Sequence, residues 1–137
     1  MSGSADIVAI IERIIREQGP QGIELKVAGV HDIQHFESVT GLKLPDEMRT
    51  FYSLYSELEG APDIFRIIPL AEVIEKELFS ENKFEFAEYL IYSDTWSVKI
   101  NENDCNDYVI NTTPPTQSFA EFLERYLDDG VYQGFYR

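Results

Sequence analysis

The sequence holds a single cysteine, Cys105, which cannot form a disulfide within the chain. It has no apolar run of the roughly 18 residues a membrane-spanning helix needs. The amino end also lacks the charged segment and apolar stretch of a secretory leader. These absences predict a cytoplasmic protein with no membrane span. Basic residues are scarce as well, 11 Lys and Arg against 25 Asp and Glu, for a formal net charge of −14. That balance disfavours unspecific attraction to nucleic acid or anionic lipid and makes a basic protein the natural partner.

Catalytic and cofactor motifs are equally sparse. There is no phosphate-cradling glycine loop, dinucleotide fingerprint, nucleophile elbow or paired-cysteine metal pattern. The two histidines, His31 and His35, share one helical face, but two ligands without a third make no zinc site. Cys105 sits in an acidic turn, a poor setting for a reactive thiolate. Glu102 to Asp107 alternates oxygen ligands as a calcium loop does, yet it lacks the turn glycine and the closing glutamate. Asn and Asp are also the residues that turns favour, which accounts for the segment. The sequence therefore predicts no catalysis, no metal and no cofactor.

What is present suits one domain: 137 residues, 44% hydrophobic and 13% aromatic, enough to bury a sizeable core. Ile7, Ile10, Ile11, Ile14 and Ile15 fall at helical spacing and predict an amino-terminal helix over about 5–18, broken at Gly19 and Pro20. Ile23, Leu25 and Val27 alternate as an extended segment does. A short helix is expected from Asp32 to Val39, stopping at Gly41. Pro45, Asp46 and Glu47 mark a helix start, with Met48, Phe51, Tyr52, Tyr55 and Leu58 on its buried face and Gly60 as its cap.

Downstream, the pattern predicts a strand from Ile64 to Ile68, a helix from Leu70 to Leu78 and a strand at Tyr89 to Tyr92. A strand with one buried face, Trp96, Val98 and Ile100, follows. A polar turn from Asn101 to Asp107 then leads to a strand at Tyr108 to Ile110, so the three form an antiparallel meander. Ser118 and Glu121 form a capping box before a helix carrying Phe119, Phe122, Leu123, Tyr126 and Leu127, closed by Gly130. The expected fold is a single α+β domain with a central, mostly antiparallel sheet and flanking helices.

Acidic charge concentrates in residues 57–108, which hold 13 Asp and Glu against 4 Lys and Arg. Within that stretch Asp94, Glu102, Asp104 and Asp107 flank or form the turns of the meander. They are the candidate partner-binding residues.

Five stretches in this order resemble the SUKH superfamily, which joins bacterial toxin-immunity proteins with fungal cell-wall regulators of the Smi/Knr type. They are Ile33 to Gly41 with Phe36 and Glu37, Leu44 to Gly60, Phe65 to Leu70, Tyr89 to Ile100, and Ser118 to Leu123. The likeness spans about 30–127, and it departs at Glu59, where the family usually has asparagine. The resemblance implies a SUKH-like α+β fold, no catalysis, and action by binding another protein. It points first to an immunity protein that neutralises a toxin, often a basic nuclease domain, and second to an intracellular adaptor or regulator. It also implies that Leu44, Pro45, Phe51, Gly60, Pro69 and Phe122 determine the fold.

Overall fold

Amphipathic stripes and alternating strands settle into one sheet with helices packed on it in a computed structural model that describes residues 4–21, 24–29, 31–60 and 65–136. Helix α1 (Ser4–Gln18) buries Ile7, Ile11 and Ile14 and ends in a 3₁₀ turn over Gly19–Gln21. Strand β1 (Glu24–Val27) follows, while Ile23 of the expected alternation lies outside the described residues. Helix α2 (Asp32–Thr40) stops at Gly41, whose φ of 76° is left-handed and whose N–H donates to the Glu37 carbonyl. Helix α3 (Asp46–Leu54) begins after Pro45 with Asp46 and Glu47 in its first turn.

The remaining elements are β2 (Tyr55–Gly60), β3 (Phe65–Ile67), α4 (Leu70–Glu75), β4 (Lys83–Tyr89), β5 (Asp94–Asn101), β6 (Asp104–Ile110) and α5 (Phe119–Phe135). Among the described residues the six strands lie side by side in chain order, β1 to β6, and every neighbouring pair is antiparallel. This is the α+β architecture expected from the sequence.

Several boundaries differ from expectation, the simplest being α4, which ends at Glu75 rather than at Leu78. Helix α3 ends at Leu54, and Tyr55 turns extended (φ −135°, ψ 138°), so Leu58 and Gly60 belong to a strand rather than to a helical stripe and its cap. Strand pairing explains this: Leu58 lies opposite both Leu25 and Ile67, and the alternation turns Glu57 and Glu59 to the other face. The strand expected at Tyr89 to Tyr92 is instead β4, which ends at Tyr89. Leu90, Ile91 and Tyr92 form the turn, with φ of 56°, 52° and 67°. The polar turn before β6 shrinks to Glu102 and Asn103, and Asp104 to Asp107 are already strand. Finally, Gly130 does not close α5. It kinks the helix (φ 80°, ψ −175°), and the chain resumes a helical course to Phe135.

The kink matters for packing because it folds residues 131–135 back, stacking Phe135 on Phe122 with ring centroids 4.3 Å apart. A β-carbon on Gly134 would lie 2.5 Å from the Arg125 carbonyl oxygen, so only glycine permits this approach. Arg125, itself buried, donates from Nε to the Gly134 carbonyl (2.6 Å) and from its terminal nitrogens to the carbonyls of Thr113 and Pro114 (2.9 Å each).

Phe65, Phe86 and Trp96 line the sheet face that α5 covers, and Phe122 touches all three. Helix α1 packs across α3 and α5, joined to the latter by Arg13 Nη2 and Asp128 Oδ1 at 2.6 Å. The motif pair Phe36 and Glu37 is structural. Phe36 packs on Phe84 at 5.0 Å, and Glu37 accepts from the Leu44 N–H (2.8 Å) and Arg49 Nη2 (2.5 Å).

Glu47 ties α3 to the start of α5. Its Oε1, in a residue only 6% exposed, accepts from Tyr108 Oη (3.1 Å), Ser118 Oγ (3.0 Å) and the Ala120 N–H (3.0 Å). A carboxylate at this helix amino terminus also favours the dipole. Ser118 Oγ in turn accepts from the Glu121 N–H, as the capping box predicted. Glu47→Ala, which orphans these donors, is expected to lower the unfolding free energy by about 1–3 kcal/mol in urea titrations. Glu47→Gln, which keeps an acceptor oxygen, should lose less. Equal losses would show that acceptance at this point is not what matters.

Candidate partner-binding surface

Three of the four sequence-derived candidates come together. Glu102, Asp104 and Asp107 are exposed at the β5–β6 turn. Side chains of the same turn fix its shape: Asn101 Oδ1 accepts from the Asn103 N–H (2.8 Å), Asp104 Oδ1 from the Asn106 N–H (3.0 Å), and Asp107 Oδ2 from Asn101 Nδ2 (2.8 Å). This is the Asx-turn chemistry that favours Asn and Asp in such loops. Asn106 also braces the turn against α3, accepting from the Asp46 N–H at 2.8 Å and donating to its carboxylate at 3.1 Å.

Two clefts flank the turn and share Glu81, Asn82, Asn101 and Glu102. One, of about 750 Å³, adds Lys99, Asp107 and Gln117; the other, of about 530 Å³, adds Lys43, Asp104 and Cys105. Three acids face one lysine in each cleft, and Leu42, Ile100, Tyr108 and Val109 add apolar surface to the linings. Asp94 does not join it. It starts β5, and at about 3.3 Å per residue the strand carries it roughly 23 Å from the turn.

A second cluster, centred on Arg66, was not singled out by sequence reasoning. Arg66 lies opposite Glu88 in the β3–β4 register, on the face away from Phe65 and Ile67, with Glu57 arriving from β2. All five guanidinium donors are engaged. Nε donates to Glu88 (2.9 Å) and Nη1 to Glu57 (3.1 Å). Both terminal nitrogens donate to Glu72 (2.9 and 2.5 Å), and Nη2 also to Tyr92 Oη (3.4 Å).

The Tyr92 hydroxyl donates to Glu72, and the Tyr92 N–H donates to Glu88 Oε1 at 2.7 Å. Lys26 pairs with Glu57 at 3.2 Å. Lys76 pairs with Glu72 at 3.5 Å and lies 4.7 Å from the Tyr92 ring centroid. Hydrogen bonding to Arg66, above all, holds the Glu72 carboxyl at about 2, while burial, then the bond to Glu72, pushes the Tyr92 hydroxyl above its ordinary range.

Three carboxylates meet three cations in this cluster, so it is close to neutral. Among the described residues, the cluster separates three carboxylates that hold the fold from the exposed acids of residues 57–108, which are Glu59, Glu75, Glu77 and Glu81 together with Glu102, Asp104 and Asp107 of the β5–β6 turn. One signal in the sequence could have revealed the cluster: Arg66 is the single basic residue between Arg49 and Lys76, among acids and inside an apolar run.

His31 and His35 are both exposed at the start of α2, and Cys105 is half-buried on β6. Among the described residues no group of three His, Cys, Asp or Glu side chains is placed to hold a metal, and no helix is long and apolar enough to cross a membrane.

Fold and surface together define a single-domain α+β protein built on one antiparallel sheet. The chain belongs to the SMI1 / KNR4 family (SUKH-1), which its residues 30–122 match. The match runs from the start of α2 into α5, leaving α1 and edge strand β1 outside it. No curated protein and no solved structure matches the chain.

Proposed function

We propose that this protein is a non-catalytic binding module of the cytoplasm that neutralises a basic bacterial toxin domain by covering it with acidic surface. The observation that carries the reading is the β5–β6 turn, where Glu102, Asp104 and Asp107 stand exposed at two adjoining clefts. The net charge of −14 supports it, since such a chain attracts a nuclease-like basic surface and repels its own copies. Family membership agrees with action through protein contacts.

Co-expression with the toxin domains encoded beside its gene tests this. Restored growth together with a stable complex is the expected result. A complex without rescue would favour an adaptor or regulator, and neither complex nor rescue would end the reading.

Charge reversal separates steering from contact. Glu102→Lys, Asp104→Lys and Asp107→Lys should each slow association with the partner, with a loss that shrinks as salt shortens the Debye length, and should change dissociation little. Stopped-flow association at low and high salt checks this. Undiminished rates at low salt in the triple variant, with its fold intact by circular dichroism, would place the interface elsewhere.

A further inference from the structure

The far end of the sheet carries a surface of another kind. Leu90, Ile91 and Tyr92 are three successive non-glycine residues in the left-handed region, which L side chains adopt only at a cost. Ile91 is β-branched and 80% exposed, so burial does not offset that cost. The neighbouring cluster holds the conformation in place, with Glu88 accepting from the Tyr92 N–H and Glu72 from the Tyr92 hydroxyl. The Ser93 N–H closes the turn on the Leu90 carbonyl at 3.2 Å.

Beside this tip the rings of Tyr89, Tyr132 and Tyr136 run in series, 5.6 and 6.2 Å between centroids, and the last two are 56% and 45% exposed. Asp94 lies opposite Tyr89 in the β4–β5 register, at the same edge. A strained backbone that presents an apolar side chain to water, and is fixed by buried ion pairs, is a preorganised contact.

We propose that Leu90, Ile91, Tyr132 and Tyr136, with Asp94 at their edge, form the apolar anchor of the partner interface. The occupant is a protein domain with an apolar socket rimmed by basic side chains. This inference rests on the partner-binding reading above and places Asp94, which the acidic turn excludes, in a role of its own. Charge selects the occupant: a second copy would bring its own −14 and another Asp94 to the same face, whereas a basic rim complements it. Apolar and aromatic anchors of this kind dominate dissociation rates, and outlying charges dominate association.

The test uses the full chain in three arms. Ile91→Gly removes the strain, so it should raise the melting midpoint of the free protein by about 2–4 °C. A midpoint that falls would make the tip a structural element and overturn the proposal. A photo-reactive benzoylphenylalanine in place of Ile91, in the native host, should form an adduct with a basic protein, whereas the same group in place of the exposed Val39 should not.

With that protein purified, Ile91→Asp should weaken binding at least tenfold through faster dissociation, and Val39→Asp should leave it unchanged. No adduct, an adduct with an acidic protein or with a second copy of the chain, or equal effects of the two Asp variants would overturn the proposal. A captured basic protein that is not toxic, with the Ile91→Asp loss intact, would sustain the anchor and refute the immunity reading.

Discussion

Replacing Arg66 with Met should lower the unfolding free energy at neutral pH by about 3–5 kcal/mol, because it leaves the carboxylates of Glu57, Glu72 and Glu88 without the cation that five hydrogen bonds now join to them and to Tyr92. Glu57 and Glu88 are each under a tenth exposed, so water cannot take the place of the guanidinium.

In the native protein Glu72 titrates at about 2, below its ordinary 4.5. Its contribution is therefore complete above about pH 4.5 and is lost as pH falls towards 2. In the variant the Glu72 carboxyl loses the guanidinium bonds that hold it low and keeps only Lys76 beside it, so its protonation no longer works against that contribution as pH falls. The gap between the two proteins should consequently hold from pH 7 to about pH 4.5 and narrow as pH falls from there towards 2 in urea titrations. A gap of constant size would show that lost packing, rather than unpaired charge, is responsible.

Phe51→Ala should cost about 3–5 kcal/mol for a different reason, the loss of a large ring from a site that cannot collapse. Phe51 is fully buried where α3 meets α5, with ring centroids 5.3 Å from Tyr52 and 5.6 Å from Phe119. Its neighbours Tyr55 and Phe119 belong to separate elements, β2 and α5, so they close only partly over the void. Val39→Ala, at a residue 47% exposed, should change stability by no more than about 0.5 kcal/mol and serves as the control. A denaturation midpoint for Phe51→Ala equal to that of the control would mean that the ring is not part of the core.

The residues that announced themselves were those with one dominant partner layer. The stripe of α1, the alternation of Trp96, Val98 and Ile100, and the Ser118 cap are each written in a few consecutive positions, and each is found where the periodicity puts it, except that Ile15 of the α1 stripe is 48% exposed. Tyr55 and Leu58 misled because spacings of four and seven from Phe51 also fit a helix. The strand wins through pairing with Leu25 and Ile67, residues distant in sequence. Lys83 to Tyr89 was missed because β4 contains a bulge between Glu85 and Ala87 that breaks strict alternation, leaving Phe86, Ala87 and Glu88 all buried.

The surface was legible in part for the same reason. Glu102, Asp104 and Asp107 are near in sequence and remain near in space, whereas Asp94 is separated from them by the length of β5. Arg66 could not be assigned a role without knowing that Glu57, Glu72 and Glu88 arrive from β2, α4 and β4. Once those contacts are known, an acid-rich stretch separates into carboxylates that hold the fold and carboxylates that face solvent.

Laying the strands side by side in chain order also shapes the route to the native state. Each new strand can pair with its predecessor by closing a short or moderate loop, a local sequence of steps that favours quick assembly. The helical cover obeys a different rule, since the bond between Arg13 and Asp128 joins positions 115 residues apart. During synthesis the sheet can therefore form with Phe65, Phe86 and Trp96 still uncovered, until α5 leaves the ribosome and packs on them. That interval is when the nascent chain is most prone to aggregate, and the kinked aromatic helix ends it.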